Sequence, residues 1–95
     1  MSFSVLPTDK FKKEARRLIK KFPSLKEELV ALGNLLSSIP DTGISLGNNV
    51  YKIRVAIKSK GKGKSGGARV ITYLISDQKE ICLLTIYNKS EFENC

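Results

Sequence analysis

Residues 50–58 read VYKIRVAIK, residues 59–67 SKGKGKSGG, residues 68–75 ARVITYLI, residues 76–79 SDQK and residues 80–87 EICLLTIY. This stretch decides the fold. In its first run Tyr51, Ile53, Val55 and Ile57 alternate with Lys52, Arg54, Ala56 and Lys58. A period of two is that of a strand with one face buried. The run over 68–75 reads as a second strand. The run over 80–87 reads as a third, apolar enough to be central. A Gly-Lys loop and a short polar turn separate them. Three strands in series with turns between them predict an antiparallel meander.

Upstream of the meander the period changes. Phe3 and Val5 alternate with serines and suggest a short first strand, which Pro7 ends. Thr8 or Asp9 can cap the helix that follows. Its apolar residues, Phe11, Ala15, Leu18, Ile19 and Phe22, form one stripe at the helical period. Pro23 stops this helix by pushing Phe22 out of helical angles. Ser24-Leu-Lys-Glu27 has the form of a capping box and opens a second helix. Leu25, Leu29, Leu32, Leu36 and Ile39 make its stripe, with Val30 and Leu35 widening it. Gly33 weakens its middle. Neither stripe is covered by the other helix alone, so both need the sheet. Residues 40–49, PDTGISLGNN, read as a loop. The expectation is one α+β domain over residues 1–95. The order is β-α-α-β-β-β, an antiparallel sheet with an N-terminal helical hairpin packed on one face.

The chain has 95 residues, 17 Lys+Arg, 9 Asp+Glu and no histidine, for a net charge of +8. That length leaves no room for a two-domain nucleotide enzyme. The missing histidine excludes a Ser-His-Asp triad, a Cys-His dyad and a His-ligated metal site. No metal and no cofactor is therefore expected. The two cysteines, Cys82 in the third strand and Cys95 at the end, cannot make a structural zinc site alone. Cys82 reads as a small core residue. No apolar run is long enough to cross a membrane. The opening MSFSVLPTDK lacks the pattern of a secretory signal, so a cytoplasmic protein is expected.

The positive charge is clustered. Residues 10–21 hold Lys10, Lys12, Lys13, Arg16, Arg17, Lys20 and Lys21 against one acid, Glu14. Residues 52–69 hold Lys52, Arg54, Lys58, Lys60, Lys62, Lys64 and Arg69 against none. These segments carry +6 and +7, so the remainder of the chain sums to −5. Two basic segments on a mildly acidic body are the footprint of a polyanion binder. Gly63-Lys64-Ser65 is not a P-loop, because position 58 is Lys58 where the motif needs glycine, and a strand follows where it needs a helix. Glycines alternating with lysines instead suit close approach to a phosphodiester backbone.

On the strands, Lys52 and Arg54 share a face, Arg69 begins the next strand, and Lys89 follows the last one. Cations converging on one face are costly unless an anion sits there. If that anion is RNA, cleavage has a route without metal or histidine. The 2′-hydroxyl attacks the neighbouring phosphate, a base takes its proton, cations hold the phosphorane and an acid protonates the leaving oxygen. Lys52 is the candidate base, and Arg54 and Arg69 are the clamps. Tyr73 or Tyr87 can stack on a base or donate a proton.

The stretch Tyr51-Lys-Ile-Arg-Val-Ala, then Gly61-Lys-Gly-Lys-Ser-Gly-Gly-Ala-Arg-Val-Ile71 with a tyrosine two residues on, and finally Leu83-Leu-Thr-Ile-Tyr-Asn-Lys-Ser-Glu91, resembles the HigB-like branch of the RelE/ParE toxins. The resemblance implies a toxin of a bacterial type II toxin–antitoxin system. Such toxins are typically ribosome-dependent endoribonucleases that cut mRNA and inhibit translation. A cognate antitoxin neutralises them, often one with a helix-turn-helix domain. It implies catalytic roles for Lys52, Arg54, Arg69 and Lys89, which match the family's cations; Tyr73 and Tyr87 complete the candidate catalytic set from the reading of the residues. The charge pattern itself, apart from the resemblance, makes Lys58 at the end of the first strand and Lys60, Lys62 and Lys64 of the loop the candidates for RNA contacts. The resemblance gives a ribosomal RNA role to Lys12, Lys13, Arg16, Arg17 and Lys20 of the first helix. RelE-type members usually continue into a C-terminal helix. This chain stops at Cys95, so that helix is expected to be absent or truncated. The ParE branch shares the fold and poisons gyrase instead; that branch, and a non-catalytic RNA-binding relative, are the alternatives.

Overall fold

The computed structural model describes residues 2–57 and 67–88. Within them the elements are β1 (Ser4–Pro7), α1 (Asp9–Lys21), α2 (Leu25–Ser38), β2 (Ile44–Gly47), β3 (Val50–Val55), β4 (Ala68–Ile75) and β5 (Glu80–Asn88). The expected α+β class and element order hold, with one added strand. The five strands lie in the order β1-β5-β4-β3-β2. The meander β3-β4-β5 is antiparallel throughout, and β1 joins it parallel to β5, pairing Ser4–Pro7 with Glu80–Leu83.

The helices cover one face. Phe11, Ala15 and Leu18 of α1 and Leu25, Leu32 and Leu36 of α2 are buried against Ile53, Val55, Val70, Ile81, Leu83 and Ile86. Ile19, Phe22 and Leu29 pack at the margin. Alternation along β3 is as expected, with Ile53, Val55 and Ile57 inward and Arg54 and Ala56 exposed. The strand itself ends at Val55, short of Lys58. Thr8 is the cap of α1: its hydroxyl accepts the Phe11 amide at 3.2 Å.

Four expectations are corrected. Residues 44–47 are a strand and not loop, folded back on β3 through a two-residue turn at Asn48 and Asn49. Both asparagines hold left-handed angles, φ 54° and 67°, as the twist of a tight hairpin requires. The capping box does not form, because Ser24 sits at helical angles and its side chain makes no cap bond. The stripe of α2 is narrower than its apolar residues suggest. Val30, Leu35 and Ile39 are exposed, since only one side of a helix touches a sheet. Cys82 is half-buried outside the helix-side core, in register with Tyr73, because Ile81 and Leu83 take the inward positions on either side of it.

Gly67 lets β4 start close to β3. Its φ is +99°, and a Cβ there would stand 2.8 Å from the Val55 carbonyl oxygen. A larger residue meets both strain and a clash. This glycine brings Ala68 opposite Val55 and hence Arg69 opposite Arg54.

Candidate nucleic-acid interface

The face of the sheet away from the helices gathers the strand cations. Register pairs Arg54 with Arg69, and Arg69 with Tyr87. The three form a row across β3, β4 and β5. Cross-strand neighbours of this kind have Cβ atoms ~5 Å apart. Lys52 stands one rung along, opposite Ile71 on β4 and Ile44 on β2. Arg54 is exposed, Lys52 and Tyr87 are half-buried, and Arg69 is only 9% exposed. An Nη of Arg69 donates to the Ala68 carbonyl at 3.3 Å.

Two guanidinium groups directly opposite each other repel. The pairing offers a phosphate two charged forks from adjacent strands, the geometry suited to a bidentate clamp. Lys52 adds a third charge beside them. Tyr73 shares the face but not the row. It lies four residues along β4 from Arg69, ~13 Å at strand rise, and is 40% exposed. The structure therefore brings Arg54, Arg69 and Tyr87 into one row, with Lys52 a diagonal neighbour of Arg69 on one side and of Tyr73 on the other, so that Tyr73 is apart from the row but not from Lys52. Lys58, Lys60, Lys62, Lys64 and Lys89 lie outside the described residues, as does Cys95.

The second basic region is separate. Lys13, Arg16, Arg17 and Lys20 line one shallow depression on the outer side of α1. Lys12 belongs elsewhere, in a groove with Pro7, Phe11, Ala15, Arg16, Ile19 and Lys26. Since α1 covers the opposite face of the sheet, its cations and those of the strands face different directions.

One residue of α1 was not singled out from sequence as functional. Glu14 turns inward from the basic helix to β5. Its Oε1 accepts the Thr85 hydroxyl at 2.5 Å and the Ile86 amide at 3.2 Å. Its Oε2 accepts Lys10 Nζ at 2.7 Å. Burial works against the carboxylate. The hydrogen bonds from Lys10, Thr85 and Ile86 and the charge of Lys10 outweigh it, so the Glu14 pKa lies below its ordinary value. The i,i+4 spacing to Lys10 is the one local sign of this residue; its partners on β5 lie about 70 positions away.

The fold is RelE-like: two helices on one face of a five-stranded mixed sheet, with the opposite face carrying the strand cations. Among solved structures the chain is similar to a double arginine-to-alanine mutant of the E. coli toxin RelE in the free state. The TM-score is 0.70 over 98% of this chain and 90% of that one, at 16% identity. That likeness establishes the fold. No protein-family model matches the chain.

Proposed function

We propose that this protein is the toxin of a bacterial toxin–antitoxin pair, of the HigB-like branch, acting in the cytoplasm as a ribosome-dependent mRNA endoribonuclease. The observation that carries the proposal is the Arg54–Arg69–Tyr87 row with Lys52 beside it, on the open face of a RelE-like fold. In this reading Lys52 takes the proton from the 2′-hydroxyl. The hydroxyl oxygen bonds to phosphorus, and the 5′-oxygen of the next nucleotide leaves. Arg54 and Arg69 hold the negative charge that builds on the phosphorane. Tyr87 donates the proton the leaving oxygen needs, with Lys89 as the further cation that the resemblance implies. Tyr73, farther along β4, stacks on a base. The lysines of residues 58–64 follow the RNA backbone. The α1 cations, Lys12, Lys13, Arg16, Arg17 and Lys20, contact ribosomal RNA. A cognate antitoxin, of the helix-turn-helix type, neutralises the protein.

Induction in cells followed by primer extension on mRNA tests this. Cuts at codon boundaries that require translation are the expected result. DNA breaks with intact mRNA would replace the proposal with gyrase poisoning. Bound but uncut RNA would replace it with a non-catalytic relative.

A further inference from the structure

Leu83 and Ile86 both lie in the helix-side core. They are three residues apart, and a regular strand sends residues at odd spacing to opposite faces. The pairing of β4 with β5 explains this. Thr72 pairs with Leu83 and Ile71 with Thr85, so Leu84 is an extra residue, a bulge. Beyond it every side chain of β5 changes face. Ile86 turns inward, and Tyr87 turns outward to meet Arg69. Without the bulge, alternation from Leu83 would expose Ile86 and bury Tyr87 under the helices.

A bulge interrupts the ladder and is retained where it re-aims a side chain. Here the N-terminal segment holds it. The last β1 pair is Pro7 with Leu83. Past that point α1 lies along the outer edge of β5. The Thr8 hydroxyl shares its one proton between Leu83 O at 2.9 Å and Leu84 O at 3.2 Å. The Thr8 amide also donates to Leu83 O, at 3.1 Å. On the far side of the extra residue, Glu14 takes the Thr85 hydroxyl and the Ile86 amide. The extra residue is thus clasped from both ends by one helix turn and its cap.

We infer that Glu14, together with Thr8, is a positioning residue: it holds the Leu84 bulge and thereby keeps Tyr87 on the open face beside Arg69 and Arg54. Its effect on cleavage rests on the endoribonuclease reading; its effect on Tyr87 placement does not. Glu14 touches no reacting atom in this scheme and acts only through β5.

Four variants test it: Glu14→Ala, Glu14→Gln, Tyr87→Phe and the double Glu14→Ala/Tyr87→Phe. All are read by amide exchange and by single-turnover cutting of mRNA on programmed ribosomes, and the two that keep Tyr87 also by its ring resonances. Glu14→Ala should speed exchange of the Ile86 amide at least tenfold and shift the Tyr87 ring resonances, with exchange in β3 unchanged. It should also slow cutting at least tenfold. Glu14→Gln, whose amide oxygen still accepts, should keep the rate within about threefold. In the Tyr87→Phe background the alanine change should slow cutting by less than threefold, because the residue it positions is already gone. Fully multiplicative losses, or unmoved Tyr87 resonances in folded Glu14→Ala, would overturn the inference. If Glu14→Ala does not fold, Thr85→Val takes its place, and unmoved Tyr87 resonances there overturn it equally. Wild-type protein that leaves mRNA whole overturns the endoribonuclease reading alone, and the exchange and ring signals then decide the positioning role.

Discussion

The two faces of this sheet are made by the same three strands under opposite demands. On the helix side, Ile53, Val70 and Ile86 stand in one row and are buried with the leucines of α1 and α2. Beside them on the open side, Arg54, Arg69 and Tyr87 stand in the next. The first row is held by apolar area and shape, so any well-fitting apolar set would serve. The second brings like charges together, a cost that burial does not explain. Alternation lets one strand meet both demands, and it also separates them: a change on one face should leave the other's property intact.

The sharpest break is Arg69→Ala. On the proposed function it should cut mRNA cleavage by about 100-fold or more, the order expected when a charge aimed at a transition state is lost. Melting should move little, and Arg69→Lys should recover only part of the rate, since a point charge replaces a fork. Unchanged cleavage by folded Arg69→Ala would remove the open row from the mechanism. The converse is Leu18→Ala, a fully buried side chain. It should destabilise the protein by about 2–5 kcal/mol, measured by denaturant titration, while cutting per folded molecule stays at the wild-type level. A rate that falls further than the folded fraction would mean that the two faces are coupled.

A smaller effect distinguishes the two basic regions. Replacing Lys13, Arg16, Arg17 and Lys20 together by alanine should weaken association with ribosomes and flatten its salt dependence. The slope of log K against log salt should fall in magnitude by about 3, ~0.7–0.9 for each of the four phosphates no longer neutralised. The rate of cutting once bound should not change. A drop in that bound rate, with association unaltered, would put the α1 cations in the chemistry instead of in docking.

How far these features could be read in advance follows from whether their causes are local. Alternation in Tyr51–Ile57 and the stripe of Phe11, Ala15 and Leu18 are periodic signals, and the strand and helix they marked are present. That Lys52, Arg54 and Arg69 share a face follows from the same period. By contrast, β2 is exposed along its whole length, so no buried alternation announces it. Its cause is the Asn48–Asn49 turn, whose left-handed angles have their effect only once β3 is there to pair. The bulge is hidden for another reason. In Ile81–Ile86 apolar residues stand at both inward and outward positions, so a slip of one residue leaves no mark in the composition. Yet that slip decides where Tyr87 points. Glu14 was legible only as the single acid of the basic segment 10–21, because its partners on β5, Thr85 and Ile86, come from the far end of the chain.

Glu14 also ties stability to pH. Its pKa is lowered in the folded protein, so the unfolded chain takes up the proton first as pH falls. The contribution is therefore fully present above the ordinary glutamate range and is lost as pH drops through the lowered folded value. Denaturation curves should show wild type losing its advantage over Glu14→Gln across that acidic window, with the two curves parallel above pH ~6. Curves that stay parallel down to pH ~3 would mean that the clasp does not depend on the carboxylate's charge.

The smallest effect belongs to Thr72, directly between the two faces' claims. It lies at an inward position of β4, opposite Leu83 where the bulge begins, and is fully buried. Its hydroxyl has no hydrogen-bond partner among the described residues. A buried, unpaired hydroxyl carries its desolvation cost without return. Valine has nearly the same shape and keeps the β-branch that suits a strand. Thr72→Val should therefore stabilise the protein by about 1 kcal/mol, read as a higher denaturant midpoint with an unchanged slope. Cleavage should be unaffected, because the residue lies on the core side. If the valine variant is instead less stable, the hydroxyl is paired in solution and this part of the core is wetter than the apolar row beside it. If it is more stable but slower, the residue opposite the bulge helps to set β5, and the separation of the two faces breaks at the one rung where the register changes.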